Sequence, residues 1–234
     1  MKWRELWMVA VCPGCEEAPS QEGLFCASCC AELRPPPSTH CPLCMRPKLV
    51  DGSCAFCTNA PPAFESVLAL FVYEEPISSV IHRFKYQARP ELAAPLAQLW
   101  ADKLGPLLQT LPDNVVPVPL HRHRYVERGF DQTVLLGATL ARLTQKTLRH
   151  GWLKRLEATP SQVGQGQDFR QRNLDKLEKA FEASPQVRGQ TVLLVDDVVT
   201  TGSTALACAR VLKKAGAQAV HVLCLSRTVF AENP

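Results

Sequence analysis

The stretch VLLVDDVVTTGST, residues 192–204, decides how this chain folds. Val192 to Val195 are apolar without alternation, the pattern of a strand buried on both faces of a parallel sheet. Two adjacent acids, Asp196 and Asp197, follow, and then a short loop of small hydroxyl residues and glycine. Ala205, Cys208, Ala209 and Leu212 mark a helix that Gly216 ends. Open α/β sheets bind ligands beyond the carboxyl ends of their strands, which is where this arrangement puts its polar groups. The backbone N–H groups of Thr200, Thr201, Gly202, Ser203 and Thr204, their hydroxyls and the helix start suit a phosphate monoester, and Gly202 permits close approach. The carboxylates of Asp196 and Asp197 are acceptors matched to two vicinal sugar hydroxyls. They would also stabilise positive charge developing on a sugar ring as a leaving group departs. A receiver-type strand with acids at its tip would not need the hydroxyl–glycine loop at this offset.

Outward from this stretch, strands and helices alternate. Val67 to Tyr73 reads as a buried strand, and Ile77, Val80, Ile81 and Phe84 form one helical face ending at Lys85-Tyr86. A helix is expected from about Glu91 to Leu108, a short strand over Val115–Val118 and a well-buried helix over Phe130–Thr144. Glu157 to Asn173, rich in Gln, Gly and Arg without periodicity, reads as a mobile loop, and Ala219 to Leu225 as the last strand. The fold class is therefore α/β, a doubly wound, mostly parallel sheet with a small cysteine-rich N-terminal module. Pro61-Pro62 is a stiff joint, dividing the chain into a module of residues 1–60 and a domain of residues 61–234.

The module holds nine of the eleven cysteines, eight of them as four CxxC knuckles: Cys12/Cys15, Cys26/Cys29, Cys41/Cys44 and Cys54/Cys57. A CxxC turn presents two thiolates to one side of a tetrahedral ion, so four knuckles suit two closed, structural Zn²⁺ sites. Sequential pairing along the chain is expected over an interleaved one. Cys30 and His40 read as spare neighbours, and Cys208 and Cys224 as small buried hydrophobes. Closed Cys₄ sites leave no open coordination position for chemistry. The apolar residues Leu6 to Val11 are too few for a secretory leader, and no later run is long enough to span a membrane. Metal-bound thiolates in the cytoplasm, free or peripheral to the inner face of the membrane, are expected over disulfides. Trp3, Leu6 and Trp7 are expected to pack against the module.

Hydrophobic content of 46% and charged content of 21% describe an ordinary globular chain, and a net charge of +4 permits phosphate contact without requiring it. Cations gather in three places. Arg122, Arg124 and Arg128, with His121 and His123, follow the short strand where a ligand loop is expected, and arginine forks suit pyrophosphate. The alternative is a solvated basic turn. Lys85 and Tyr86, at a helix end, are candidates to bind pyrophosphate or a nucleic acid; the alternative is a cation that complements the helix dipole. Arg170 and Arg172, within Glu157–Asn173, could close over a ligand or touch a nucleic acid backbone.

The 192–204 stretch resembles the phosphoribosyl pyrophosphate (PRPP) loop of type I phosphoribosyltransferases. With VPVPLHRHRYVERGFDQ (residues 116–132), IHRFKY (residues 81–86) and the cysteine-rich start, the whole chain resembles the ComF family, which includes GntX-like proteins. That resemblance implies a double zinc ribbon before a phosphoribosyltransferase-like domain, with PRPP arriving with Mg²⁺. It puts Asp196 and Asp197 on the ribose, Thr200 to Thr204 on the 5-phosphate and the basic loop on pyrophosphate. It also implies a role in competence, with single-stranded DNA and DNA-uptake or recombination proteins as partners. The family more often has Asn where this chain has Asp131. The other reading is an active phosphoribosyltransferase of nucleotide salvage or biosynthesis. It would need an acceptor pocket in addition, and no segment clearly supplies one.

Overall fold

The computed structural model describes residues 11–20, 24–157 and 174–230. Its centre is a five-stranded sheet in which every pairing is parallel, in the order β1-β7-β6-β2-β3. These strands are β1 (Ser66–Val72), β2 (Asn114–Pro117), β3 (Thr147–Leu148), β6 (Thr191–Val199) and β7 (Ala219–Arg227). A separate antiparallel pair, β4 (Leu153–Arg155) and β5 (Phe181–Ala183), lies outside it. The helices of the domain are α3 (Ile77–Tyr86), α4 (Ala93–Thr110), α5 (Arg122–Arg128), α6 (Gln132–Thr144), a short α7 over residues 174–179 and α8 (Ser203–Lys214).

The apolar side chains sort into two cores, one on each face of the sheet. One joins Val80, Ile81 and Phe84 of α3, Leu96 and Trp100 of α4 and Leu136 and Leu140 of α6 to Leu193, Val195, Leu223 and Leu225. Trp100 is fully buried, and its indole N–H donates to the Cys224 carbonyl at 3.1 Å. The other core joins Ala205, Cys208 and Leu212 of α8, Trp152, Leu153 and Phe181 to Val192, Leu194, Val220 and Val222. The alternation of Val192 and Leu194 against Leu193 and Val195 is the two-residue period of a strand covered on both sides.

Several elements are where the sequence puts them: α3 ends at Tyr86, and β1 and β2 shift by one residue at each end. The expected helix from Glu91 begins as a 3₁₀ turn at Pro90–Leu92 and continues as α4, kinked at Gly105-Pro106. Two differences bear on function. β6 does not stop at Val195 but runs on to Val199, because β7 keeps pairing with it through Val198↔Ser226 and Val199↔Arg227. Both acids are therefore strand residues. The basic stretch after β2 is the two-turn helix α5 and not a loop, its N-terminus closed by the His121 imidazole, which accepts from His123 N–H at 3.2 Å.

Helix α6 begins two residues later than the apolar pattern suggested because Asp131 caps it. Asp131 Oδ1 accepts from Thr133 N–H at 3.0 Å, Val134 N–H at 3.2 Å and the Thr133 hydroxyl at 2.7 Å, while Oδ2 accepts from Leu120 N–H at 3.1 Å. One carboxylate thus starts the helix and ties down the loop after β2. Gly137 lets α6 sit close on the sheet, since a Cβ there would meet Val115, Pro117 and Leu148 at 3.4 Å. Asp131→Ala is expected to lower stability by about 1–2 kcal/mol, the usual cost of losing such a cap, measured by urea denaturation against wild type.

Among its described residues, the cysteine-rich module carries two short helices, α1 (Ala27–Glu32) and α2 (Ala55–Asn59), and little else of regular structure. Its Cys12, Leu24, Phe25, Cys26 and Cys29 are buried in the same core as α3 and α4. Among the described residues, no helix is long and apolar enough to cross a membrane. The expectations placed on Trp3, Leu6, Trp7, Arg170 and Arg172 fall outside the described residues.

Candidate functional site

Strand β2 connects through α5 and α6 to β3 on one side, whereas β6 connects through α8 to β7 on the other. The point between β2 and β6, where the connections diverge, is the switch point beyond whose strand carboxyl ends open α/β sheets bind ligands. Val118, just beyond β2, still donates to the Val195 carbonyl at 2.9 Å, so the two strand ends are held in register. Residues 118–131 and 200–204 flank this point.

The adjacent acids point to opposite faces, as strand geometry requires. Asp197 is buried on the α3 side, where its Oδ1 meets Lys85 Nζ at 2.7 Å. Its Oδ2 is buried without a hydrogen-bond partner. Burial works to lower the Lys85 pKa, but the charge of Asp197, its hydrogen bond and the charge of Asp196 outweigh that and raise it. Lys85 is thus already committed to Asp197 in this structure. Asp196 lies on the α8 side, electrostatically coupled to Cys208 and Arg155. Burial first, and then the neighbouring Asp197 charge, push its carboxyl from 3.8 up to about 8, against the pull of Lys85 and of the Asp197 N–H that it accepts at 2.9 Å.

Beyond β6, Thr200 and Thr201 are exposed and Gly202, Ser203 and Thr204 partly so. Gly202 is the N-cap of α8 with φ +79°, a left-handed conformation that favours glycine, and it has no side chain with which to close the helix end. The Thr201 and Ser203 hydroxyls lie 2.9 Å apart, and Thr201 Oγ1 accepts from Ser203 N–H at 3.4 Å. Hydroxyls and helix N–H groups here converge on one exposed spot, the arrangement an anion needs.

On the opposite flank, Arg122 and Arg124 are exposed on α5, Arg124 forming an ion pair with Glu127 at 3.3 Å. Arg128 donates to the Gln132 side chain and lies over the Tyr86 ring at 5.1 Å. Tyr86, 61% exposed, also meets His82 at 4.9 Å, so it joins the end of α3 to α5 in one aromatic and basic surface. Arg155 is a site neighbour that sequence reasoning missed. It sits over Phe181 at 5.3 Å and interacts electrostatically with Asp196 and Arg124. Its only signal was a cation in a three-residue strand.

The four knuckles form two tetrads paired sequentially, Cys12/Cys15/Cys26/Cys29 and Cys41/Cys44/Cys54/Cys57, with the sulfurs of each set within 4.8 Å of one another. Individual sulfur separations are 3.9 Å for Cys15–Cys26, 3.8 Å for Cys41–Cys57 and 3.4 Å for Cys44–Cys54. A tetrahedral Zn²⁺ with sulfurs at 2.3 Å sets them about 3.8 Å apart, so both tetrads fit the ion. Such separations are well beyond a disulfide bond. Cys30 is exposed outside both sets, and Cys208 and Cys224 are buried in the domain.

A profile of the phosphoribosyl transferase domain matches residues 141–228, from the end of α6 through β7. The chain is 33% identical over 223 residues to DNA utilization protein YhgH of Escherichia coli (strain K12), covering 94% of this chain and 91% of that protein. It belongs to the ComF family. Competence protein F of Haemophilus influenzae is 28% identical over 221 residues, covering 93% of this ComF-family chain and 90% of the relative. Among solved structures, an adenine phosphoribosyltransferase aligns with 60% of this chain and 74% of its own at 17% identity and a TM-score of 0.37.

The raised pKa of Asp196 makes stability depend on pH. Its contribution is complete below about 3.8 and is lost as pH climbs towards about 8, because ionising the buried carboxyl then opposes folding. The melting temperature of the unliganded protein should fall between pH 5 and 8 more steeply in wild type than in Asp196→Asn. Identical slopes in calorimetric scans would show that Asp196 titrates normally.

Proposed function

We propose that this ComF-family protein binds PRPP with Mg²⁺ in the crevice between β2 and β6 and serves the handling of single-stranded DNA in DNA uptake or utilisation. The observation that carries the reading is the continuation of β6 through both acids to an open, glycine-capped helix start at the switch point of the sheet. A 5-phosphate there meets the Thr200–Thr204 amides and hydroxyls, and the ribose lies over Asp196. Arg122 and Arg124 face the pyrophosphate side. Asp197, whose Oδ2 is buried and unpaired, positions Lys85 and keeps negative charge beside the sugar.

Mg²⁺ suits this donor set. A carboxyl kept mostly protonated near neutral pH by burial and by a like charge is stabilised as the anion once a cation reaches it. Bound with the pyrophosphate, the ion supplies charge neutralisation, and the protein's own part is to orient the sugar phosphate and release a proton from Asp196. The DNA side of the reading rests on the relatives named for DNA utilization and competence and on the Tyr86, His82, Arg128 and α5 surface, which combines a ring with exposed cations.

Calorimetric titration with PRPP should show binding that requires Mg²⁺ and releases protons at pH 7. Asp196→Asn and Asp197→Asn should each weaken it by about 10–100-fold, the worth of a hydrogen bond to a charged group. Wild-type affinity in both variants would remove the acids from the ribose. If DNA meets the α5 surface, single-strand affinity should fall steeply with salt, and the slope should flatten in Arg122→Gln/Arg124→Gln.

A further inference from the structure

Each cysteine tetrad is gripped by one arginine of the α/β domain, and both arginines use the same device. Arg83 of α3 donates to the carbonyls of Pro13 and Gly14, the two residues between Cys12 and Cys15. Arg227, the last residue of β7, donates to the carbonyls of Pro42 and Leu43, the two residues between Cys41 and Cys44, at 3.0 and 3.1 Å. A CxxC turn leaves its two middle carbonyls side by side; Arg83 reaches both through Nη1 alone, whereas Nη1 and Nη2 of Arg227 span them as a planar fork.

The two grips differ in their charge balance. Arg83 also meets the Glu16 carboxylate at 3.1 Å. Arg227 is only 2% exposed, its Nε is buried without a partner, and no carboxylate pairs with it among the described residues. A buried guanidinium left without countercharge is costly. Four thiolates on one Zn²⁺ carry a formal double negative charge, and the second tetrad lies directly beneath this fork.

The position of Arg227 gives that balance a consequence. Its backbone pairs with Val199, and the next residue, Thr228, donates its N–H to the Val199 carbonyl at 3.1 Å. Val199 is the residue immediately before Thr200 and the phosphate loop. On the other side, Phe230 N–H donates to the Met45 carbonyl at 3.2 Å, one residue beyond Cys44. The end of β7 is thus paired with the loop-bearing strand on one edge and with β1 on the other, and the chain just beyond it is tied to the second knuckle.

We propose that Arg227 makes the second cysteine tetrad and the sugar-phosphate loop one thermodynamic unit, so that zinc in that tetrad tightens binding of PRPP and PRPP tightens retention of that zinc. This rests on the PRPP reading given above. Loss of the ion, with the four thiolates taking up protons, loosens the turn that holds the Pro42 and Leu43 carbonyls and removes the countercharge. The buried guanidinium must then move, and the Arg227–Thr228 edge that holds Val199 moves with it. Because coupling between two binding equilibria is reciprocal, the effect can be read from either ligand.

The test uses the full zinc-loaded chain. Zinc release to a chromophoric chelator is followed with and without PRPP and Mg²⁺, and alkylation of the freed cysteines by mass spectrometry identifies the emptied tetrad. In wild type, PRPP should slow release from Cys41/Cys44/Cys54/Cys57 at least fivefold and leave Cys12/Cys15/Cys26/Cys29 nearly unchanged. In Arg227→Gln, the second tetrad should empty at least tenfold faster and lose its protection by PRPP, while Arg83→Gln should hasten only the first. Arg227→Lys keeps the charge without the fork and should fall between, which also serves if the glutamine variant does not fold. Calorimetry in parallel separates the two proposals. Absence of PRPP binding to wild type defeats the functional reading, whereas binding that leaves release from the second tetrad unchanged defeats the coupling. Release from the second tetrad at the wild-type rate in both Arg227 variants overturns the role of the fork.

Discussion

A carboxylate enclosed in the middle of a parallel sheet needs a countercharge, and Lys85 supplies it to Asp197 at 2.7 Å. Much of the site's geometry depends on that pair. It fixes the end of α3 against the carboxyl end of β6, which in turn places Tyr86 beside Arg128 and carries the aromatic surface up to α5. It also makes the two acids unequal. Asp197 is engaged and buried, whereas Asp196, on the opposite face, is left without an ion-pair partner among the described residues and with a carboxyl pushed up to about 8, which is why the proposed function gives the sugar to Asp196. Two identical residues side by side in sequence therefore have different tasks, because a strand turns each successive side chain to the other face.

What was legible in the sequence and what was not divide along physical lines. Local signals were readable: the apolar run of Val192–Val195, the spacing of Ile77, Val80, Ile81 and Phe84, and the four CxxC knuckles, whose sequential pairing is expected over an interleaved one and is what the structure has. Signals set by a neighbour distant in sequence were not. β6 extends to Val199 because β7 continues alongside it, a fact absent from the composition of VVTTG. The β4–β5 pair was missed because strands of three residues are too short to show a period. Lys85 read as a free cation at a helix end, since nothing in its own segment announces Asp197. Asp131 looked like a departure from an asparagine position, yet its two oxygens tie Leu120 and the start of α6 together.

The cysteine module shows the same dependence from the other side. A segment so poor in apolar residues cannot hold a shape by burial alone, and metal coordination is the usual substitute. Here it also borrows a core: Leu24 and Phe25 and the sulfurs of Cys12, Cys26 and Cys29 are buried with the residues of α3 and α4. The first tetrad is consequently part of the face that carries Lys85, and the second is part of the strand end that carries Arg227. Neither is an appendage on a linker.

That arrangement bears on how the proposed phosphate loop can be kept both open and ordered. Under the proposed function Thr200 to Thr204 must stay exposed to receive a ligand, so they cannot be buried for rigidity, and exposed loops order themselves poorly. The available solution is to stiffen what lies on either side. Helix α8 does so behind the loop, through Ala205, Cys208 and Leu212 in the core. In front of it, β6 has as its partner the end of β7, whose last residue is held by β1 on its other edge and clamped through its side chain to a knuckle. A cysteine tetrad closed around zinc is small and stiff and needs no apolar core of its own, which suits it to bracing a strand end at the rim of a binding crevice.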